Sequence, residues 1–215
     1  GAALNPTVGY CQSMNFLAAL LLLQLHDEEV ALWVLATLVE EVLPHYYHRS
    51  LYGLRIDQAV LAEYVETELP KVHRHFQALS FDLAFVSTNW LLCVFINSLS
   101  WECVVRILDI LFFESSSDIL LRASLAVLFL LQPKVLACSS QEQLFDCIKP
   151  KGGLLTLHTG ASVQAGQLMR AIFTKMGPLP HLPGRRAAYL HAHQRKTRYS
   201  GIAPLANAGG PHCGI

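Results

Sequence analysis

Asn5-Pro6-Thr7-Val8-Gly9-Tyr10-Cys11-Gln12-Ser13-Met14-Asn15 runs directly into Phe16 to Leu25, where nearly every residue is an apolar helix former. Asn5 and Pro6 break the chain, and the run after them predicts an enclosed central helix over Tyr10 to Leu25. Its apolar part, like Ser124 to Leu131, falls well short of the ~20 residues a membrane-crossing helix needs. Both read as buried core helices, and no membrane span is expected.

Outward from this helix, punctuation and periodicity repeat the same message. Asp27 caps a second helix, Glu28 and Glu29 favour its first turn, and Pro44 stops it, so the first two helices form a hairpin. From Ile56, the residues Val60, Leu61, Tyr64, Val65 and Leu69 recur at spacings of three and four up to Pro70, which marks an amphipathic helix. Trp90, Leu91, Val94 and Phe95 mark another. Ser100 can cap Trp101 to Phe113, with Val104, Leu108, Leu111 and Phe112 as its stripe, and Ser115 to Ser117 form the break. Asp118 opens a helix that Pro133 is expected to end after Leu131, and Ser140 with Gln143 has capping-box spacing. Lys151 to Gly160 reads as loop, Gln164 to Met176 as helix, and Arg185 to Gln194 as a last helix, with disorder beyond Thr197. No alternating strand pattern appears, so the fold class is all-α.

A chain of 215 residues with 53% hydrophobic content has room for one sizeable domain and little room for two. The formal net charge is zero and 15% of residues are charged, so no global field argues for nucleic acid or an anionic membrane. The six cysteines are scattered without a C-x-x-C pair, which favours reduced thiols in the cytosol. The opening at Gly1 carries no signal-type pattern and reads as internal sequence.

The segment around Tyr10-Cys11-Gln12 closely resembles the signature of TBC domains, the helical modules that activate Rab-family GTPases. Further blocks come in that family's order: Asp57 to Leu61, Leu69-Pro70, Trp90 to Phe95, Arg106-Ile107-Leu108-Asp109, and Leu120 to Leu128. Ordered blocks at sensible spacing on a helical background are far more specific than one tripeptide. The resemblance covers roughly residues 4 to 195 and implies a multi-helix TBC-type domain over 1–195, incomplete at its N-terminal side, followed by a disordered tail over 196–215.

It also implies a role for Gln12. GTP hydrolysis needs an in-line water and neutralised phosphate charge, and a glutamine amide can orient that water by donating and accepting hydrogen bonds. Gln12 resembles the glutamine that TBC proteins insert in trans into a Rab-family GTPase, with Asn5, Gly9, Tyr10, Cys11 and Ser13 as partner-contacting neighbours. The family's second element, an arginine in an Ile-x-x-Asp-x-x-Arg block, is not among these residues. An arginine finger is worth roughly 10³ to 10⁵ in rate, so this chain alone is expected to be a weak activator. The helices expected upstream would pack on Phe16 to Leu23, and without them apolar surface stands exposed. Ser13 occupies a position commonly glycine in the family, and Glu114-Ser115-Ser116 replaces a usual Glu-Gly turn.

The implied protein is therefore not itself an enzyme. It has no cofactor of its own, GTP and Mg belonging to the partner, and is cytoplasmic, reaching endomembranes through that partner. A non-catalytic helical module that binds a small GTPase or scaffold is the alternative. Other constellations read more plainly. His45 and His48, and His73 and His75, lack further convergent ligands and read as surface histidines, so no metal site is expected. Arg49 and Arg55 occupy no family motif, and Trp33, Trp90 and Trp101 read as core. The basic group Arg185, Arg186, Arg195, Lys196 and Arg198 reads as a solvated face.

Overall fold

The computed structural model describes residues 11–48, 50–149, 154–157 and 159–199. Among them the chain is all-α, with one isolated β-bridge between Thr156 and Ser162.

Helix α1 is Met14–Leu25 and α2 is Glu28–Thr37, continued by a π-helical turn, Leu38–Val42. Asp27 accepts the Val30 amide at 2.9 Å, the cap its sequence position requires. The two helices form the expected hairpin, but α1 is not enclosed. It buries Leu17, Leu20 and Leu21 and leaves Phe16, Leu22, Leu23 and Leu25 exposed. A helix apolar all round has no intrinsic outward face, so which side meets solvent is decided by its neighbours, and here α2 is its main one. The exposed residues form the apolar surface anticipated on this helix.

Helix α3, Tyr52–Glu68, buries Val60, Leu61, Tyr64 and Val65 as the spacing predicts, and Pro70 sits at the start of α4, Pro70–Ala78, where its missing N–H costs nothing. Helix α5 is Ala84–Leu92, α6 is Trp101–Glu114 and α7 is Asp118–Leu136. The α7 helix is buried continuously from Ile119 to Leu128, and α3, α4, α5, α6, α8 (Gln141–Ile148) and α9 (Ala165–Ala171, prolonged by a π-helical turn, Ile172–Met176) pack around it. By length and composition α7 is the one described helix able to cross a membrane, and its burial at the centre of the fold accounts for its hydropathy.

Several sequence expectations need correction. Val94 and Phe95 do not extend α5; both are buried with left-handed φ values of 47° and 62°. The chain reverses there so that Phe95 can stack on Trp90, ring centroids 5.6 Å apart. Pro133 does not end α7, because the last turn is held by buried Val135 and by Lys134, whose ammonium donates to the Thr156 hydroxyl at 2.9 Å. Trp90 is core, but Trp33 and Trp101 are 58% and 46% exposed, facing outward from α2 and α6. Ser140 does cap α8, accepting the Gln143 amide at 3.2 Å, while Gln143 reaches back to the Ser139 amide rather than that of Ser140; Ser100 precedes α6 without a side-chain cap, its hydroxyl donating to the Cys103 thiol at 3.2 Å instead.

A second compact unit begins at His181, and its described part is α10, Leu182–Tyr199. This helix starts earlier and ends later than the sequence suggests, and the expected tail beyond it lies outside the described residues.

The turn between α6 and α7 makes the Ser115 departure quantitative. Ser115 comes after α6 with φ 47° and ψ 41°, the left-handed position that glycine takes most easily. Ser115→Gly is therefore expected to stabilise the fold by about 1 kcal/mol. A rise of a few degrees in the thermal midpoint measures it.

Candidate functional site

The site is built at the entrance to α1. Residues 11–13 form a turn, closed by the Met14 amide on the Cys11 carbonyl at 2.9 Å and the Phe16 amide on the Ser13 carbonyl at 3.2 Å. These short-range bonds wind residues 11–13 ahead of α1, whose first residue is Met14. Cys11 is half-buried, Gln12 is exposed, and Ser13 is buried. The Cys11 thiol and Ser13 hydroxyl lie 3.5 Å apart, so the residues flanking Gln12 turn inward together while the carboxamide is presented outward. Ser13 has φ −77° and ψ −19°, ordinary right-handed backbone, so its departure from glycine carries no conformational cost here. Asn5, Gly9 and Tyr10 lie outside the described residues.

The core also holds a buried polar group that the sequence does not announce. The Tyr47 phenol is buried and donates to the Leu92 carbonyl at 2.9 Å. Burial, with Cys93 and Cys11 nearby, pushes the Tyr47 hydroxyl well above its usual pKa, and burial with Cys11 pushes the Cys93 thiol up to about 11. Cys103 is raised by burial, and Cys147 is pushed up to about 12 by burial and by Cys138.

Raised thiol pKa values mean little nucleophilic thiolate near neutral pH. At pH 8, iodoacetamide followed by peptide mass spectrometry is expected to label half-buried Cys11 and Cys138 well before Cys93, Cys103 and Cys147. Labelling of Cys93 is expected to climb as pH approaches 11.

A second polar cluster orders the loop that carries Tyr47. Asp57 is buried at the start of α3 and accepts from the Tyr46 hydroxyl and from the Ser117 hydroxyl, the latter at 3.0 Å. It joins the loop after α2, α3 and the α6–α7 turn. A signal was present: Asp57 falls on the same helical stripe as Val60, Leu61 and Tyr64, where a carboxylate is out of place unless it is bonded. Glu114 and Arg122 form a further ion pair, with the Arg122 guanidinium 5.7 Å from the Phe173 ring centroid.

The remaining candidates serve packing. His45 stacks on Tyr52 at 4.5 Å and His48 meets the same ring edge-on at 5.8 Å. Burial and then His48 lower the His45 pKa. Among the described residues no three His, Cys, Asp or Glu side chains gather as metal ligands. Arg55 is exposed and lines a groove of about 460 Å³ with Gln58, His73 and Asp82, and Arg49 lies outside the described residues.

Comparison with known proteins meets this geometry from an independent side. The sequence profile of the Rab-GTPase-TBC domain matches residues 2–136. Growth hormone-regulated TBC protein 1 of Xenopus laevis is 36% identical over 81% of this chain and 49% of its own length. TBC1 domain family member 2A of Mus musculus is 32% identical over 82% of this chain and 18% of its own length. The crystal structure of the Chlamydomonas flagellar RabGAP TBC domain superposes with a TM-score of 0.70 at 34% identity, covering 82% of this chain and 56% of that one. The chain thus spans about half, or less, of the length of these curated relatives. With the Gln12 turn at the head of α1 and a matching helical framework behind it, the chain belongs to the Rab-GTPase-TBC domain family.

Proposed function

We propose that this chain contributes the glutamine half of a GTPase-activating site, with Gln12 acting in trans on a Rab-family GTPase. The observation that carries the reading is the exposed carboxamide held between two inward-facing neighbours. An exposed group on a short turn can enter a partner's active site, and its two-sided hydrogen bonding suits it to orient water. Cys11 and Ser13 fix the turn, and Asn5, Gly9 and Tyr10 belong to the same partner-facing segment. GTP and Mg are the partner's, and no cofactor is assigned to this chain. The protein acts in the cytoplasm, at endomembranes through its partner.

The arginine half is not among these residues, so the chain by itself accelerates hydrolysis weakly, and an Ile-x-x-Asp-x-x-Arg segment must complete the site. That same feature favours the second reading, a module that binds a GTPase without accelerating it. Single-turnover hydrolysis with Gln12→Ala, in a chain extended to include an arginine block, separates the two. Loss of acceleration with retained binding supports the activator; unchanged acceleration overturns the glutamine mechanism.

A further inference from the structure

We propose that α10 docks on anionic membrane surface, held against acidic phospholipid headgroups by charge. The zero net charge of the whole chain hides a segregation. Residues 1–146 hold all 16 Asp and Glu side chains and 7 of the 16 Lys and Arg. The 69 residues after Asp146 hold the other 9 Lys and Arg and no carboxylate side chain, so the two stretches carry formal charges of −9 and +9. Such asymmetry within one chain marks a basic segment suited to an anionic partner.

Five of those cations, Arg185, Arg186, Arg195, Lys196 and Arg198, fall within α10 and span about 20 Å along its axis. Three of them stand in its last five residues, the end where the helix dipole favours positive charge. The helix contains no acidic residue, so it has none of the i,i+4 Glu–Lys pairs that support many polar helices. Its share of the core is small. From Leu182 to Arg195, Leu182 is buried and the others are half-buried or exposed, Arg195 among the exposed.

The kind of anion follows from what else α10 carries. Ala187, Ala188, Tyr189 and Leu190 are consecutive, and steps of about 100° spread them around the helix, so no apolar face is gathered to insert between lipid chains. Nor do aromatic side chains alternate with the cations, as stacking on nucleic-acid bases requires. Cations without an inserting or stacking companion suit a diffuse array of acidic headgroups, to which each Lys or Arg near the surface adds about fivefold in affinity. The inference shares the endomembrane setting of the reading above but not its glutamine mechanism, so vesicle binding judges it whichever way Gln12→Ala turns out.

Co-sedimentation of the full chain with vesicles tests this, using phosphatidylcholine alone and phosphatidylcholine with about one-third phosphatidylserine. Binding is expected to the second and not the first. It is expected to be lost as salt rises from about 0.1 M to about 1 M, where the screening length falls from about 10 Å to about 3 Å. Arg195→Gln combined with Lys196→Gln and Arg198→Gln is expected to weaken binding about 10²-fold. Helix content is retained, since glutamine forms helix about as readily as arginine and lysine. Lys71→Gln with Arg74→Gln and Arg106→Gln removes the same charge from exposed positions on α4 and α6, and is expected to leave binding within about threefold. Equal binding to both vesicle types, which the exposed apolar residues of α1 would produce, overturns the proposal. So do binding to neither and an equal loss in the two triple variants. Tighter binding to a single-stranded oligonucleotide than to the anionic vesicles at the same salt overturns the membrane assignment in favour of nucleic acid. The lipid and salt comparisons need no variant, so the proposal stays falsifiable if either triple variant misfolds.

Discussion

Gln12→Ala, in a chain completed by the arginine block, is expected to lower stimulated GTP hydrolysis by about 10²-fold, and to leave affinity for the GTP-bound GTPase within a few-fold. The magnitude comes from the loss of one pre-oriented polar group in a water-excluded site, typically 10²- to 10³-fold in rate. The lower figure applies because the role proposed for Gln12 is to orient water, not to neutralise phosphate charge as an arginine does. Affinity is spared because the side chain is exposed and its removal uncovers no buried partner. Gln12→Glu is expected to be worse in both respects, since it brings a negative charge toward phosphates. Single-turnover phosphate release, with binding measured separately, gives the two quantities independently.

The largest effect on stability is expected at the other end of α6. Arg122 projects from α7 with 8% of its side chain exposed, and its ion-pair partner Glu114 is 30% exposed. Glu114→Ala leaves the guanidinium buried without its counter-charge, a change that typically costs about 3–5 kcal/mol. Water can reach Arg122 through the space a partly exposed glutamate vacates, so the lower bound of about 3 kcal/mol is expected here. For a chain of this length that is a fall of roughly 6–12 °C in thermal midpoint. Combining it with Arg122→Met removes the stranded charge and keeps an apolar stem beside Phe173, so the double variant is expected to recover much of the loss. A double variant as unstable as Glu114→Ala would show that packing, and not charge, holds this corner.

These two residues differ in how far the sequence reveals them. Gln12 is legible because its signature is contiguous and stands before an apolar helix. The Asp27 and Ser140 caps and the α3 stripe are legible for the same reason, each being a pattern within a few residues. Glu114 and Arg122 lie on different helices, and their pairing depends on how the α6–α7 turn reverses the chain. Tyr47 and Leu92 are further apart, and no local rule joins them. Val94 and Phe95 look like helix because their composition is helical on one face; tertiary packing against Trp90 overrides that preference. Trp33 and Trp101 look like core because tryptophan is usually well buried, yet exposure is decided by which neighbours an element has, which the sequence of that element does not contain. Asp57 is the intermediate case: its place on an apolar stripe was visible, while its partners Tyr46 and Ser117 were not.

The central claim is that Gln12 accelerates GTP hydrolysis on a Rab-family partner, and one measurement tests it most directly. Single-turnover hydrolysis by a panel of Rab proteins is monitored with this chain, with the chain extended upstream through the arginine block, and with the extended chain bearing Gln12→Ala. The account predicts strong acceleration by the extended chain for at least one Rab, weak acceleration by this chain, and a drop of about 10²-fold on Gln12→Ala. Binding without acceleration by any of the three, or acceleration that survives Gln12→Ala intact, contradicts it.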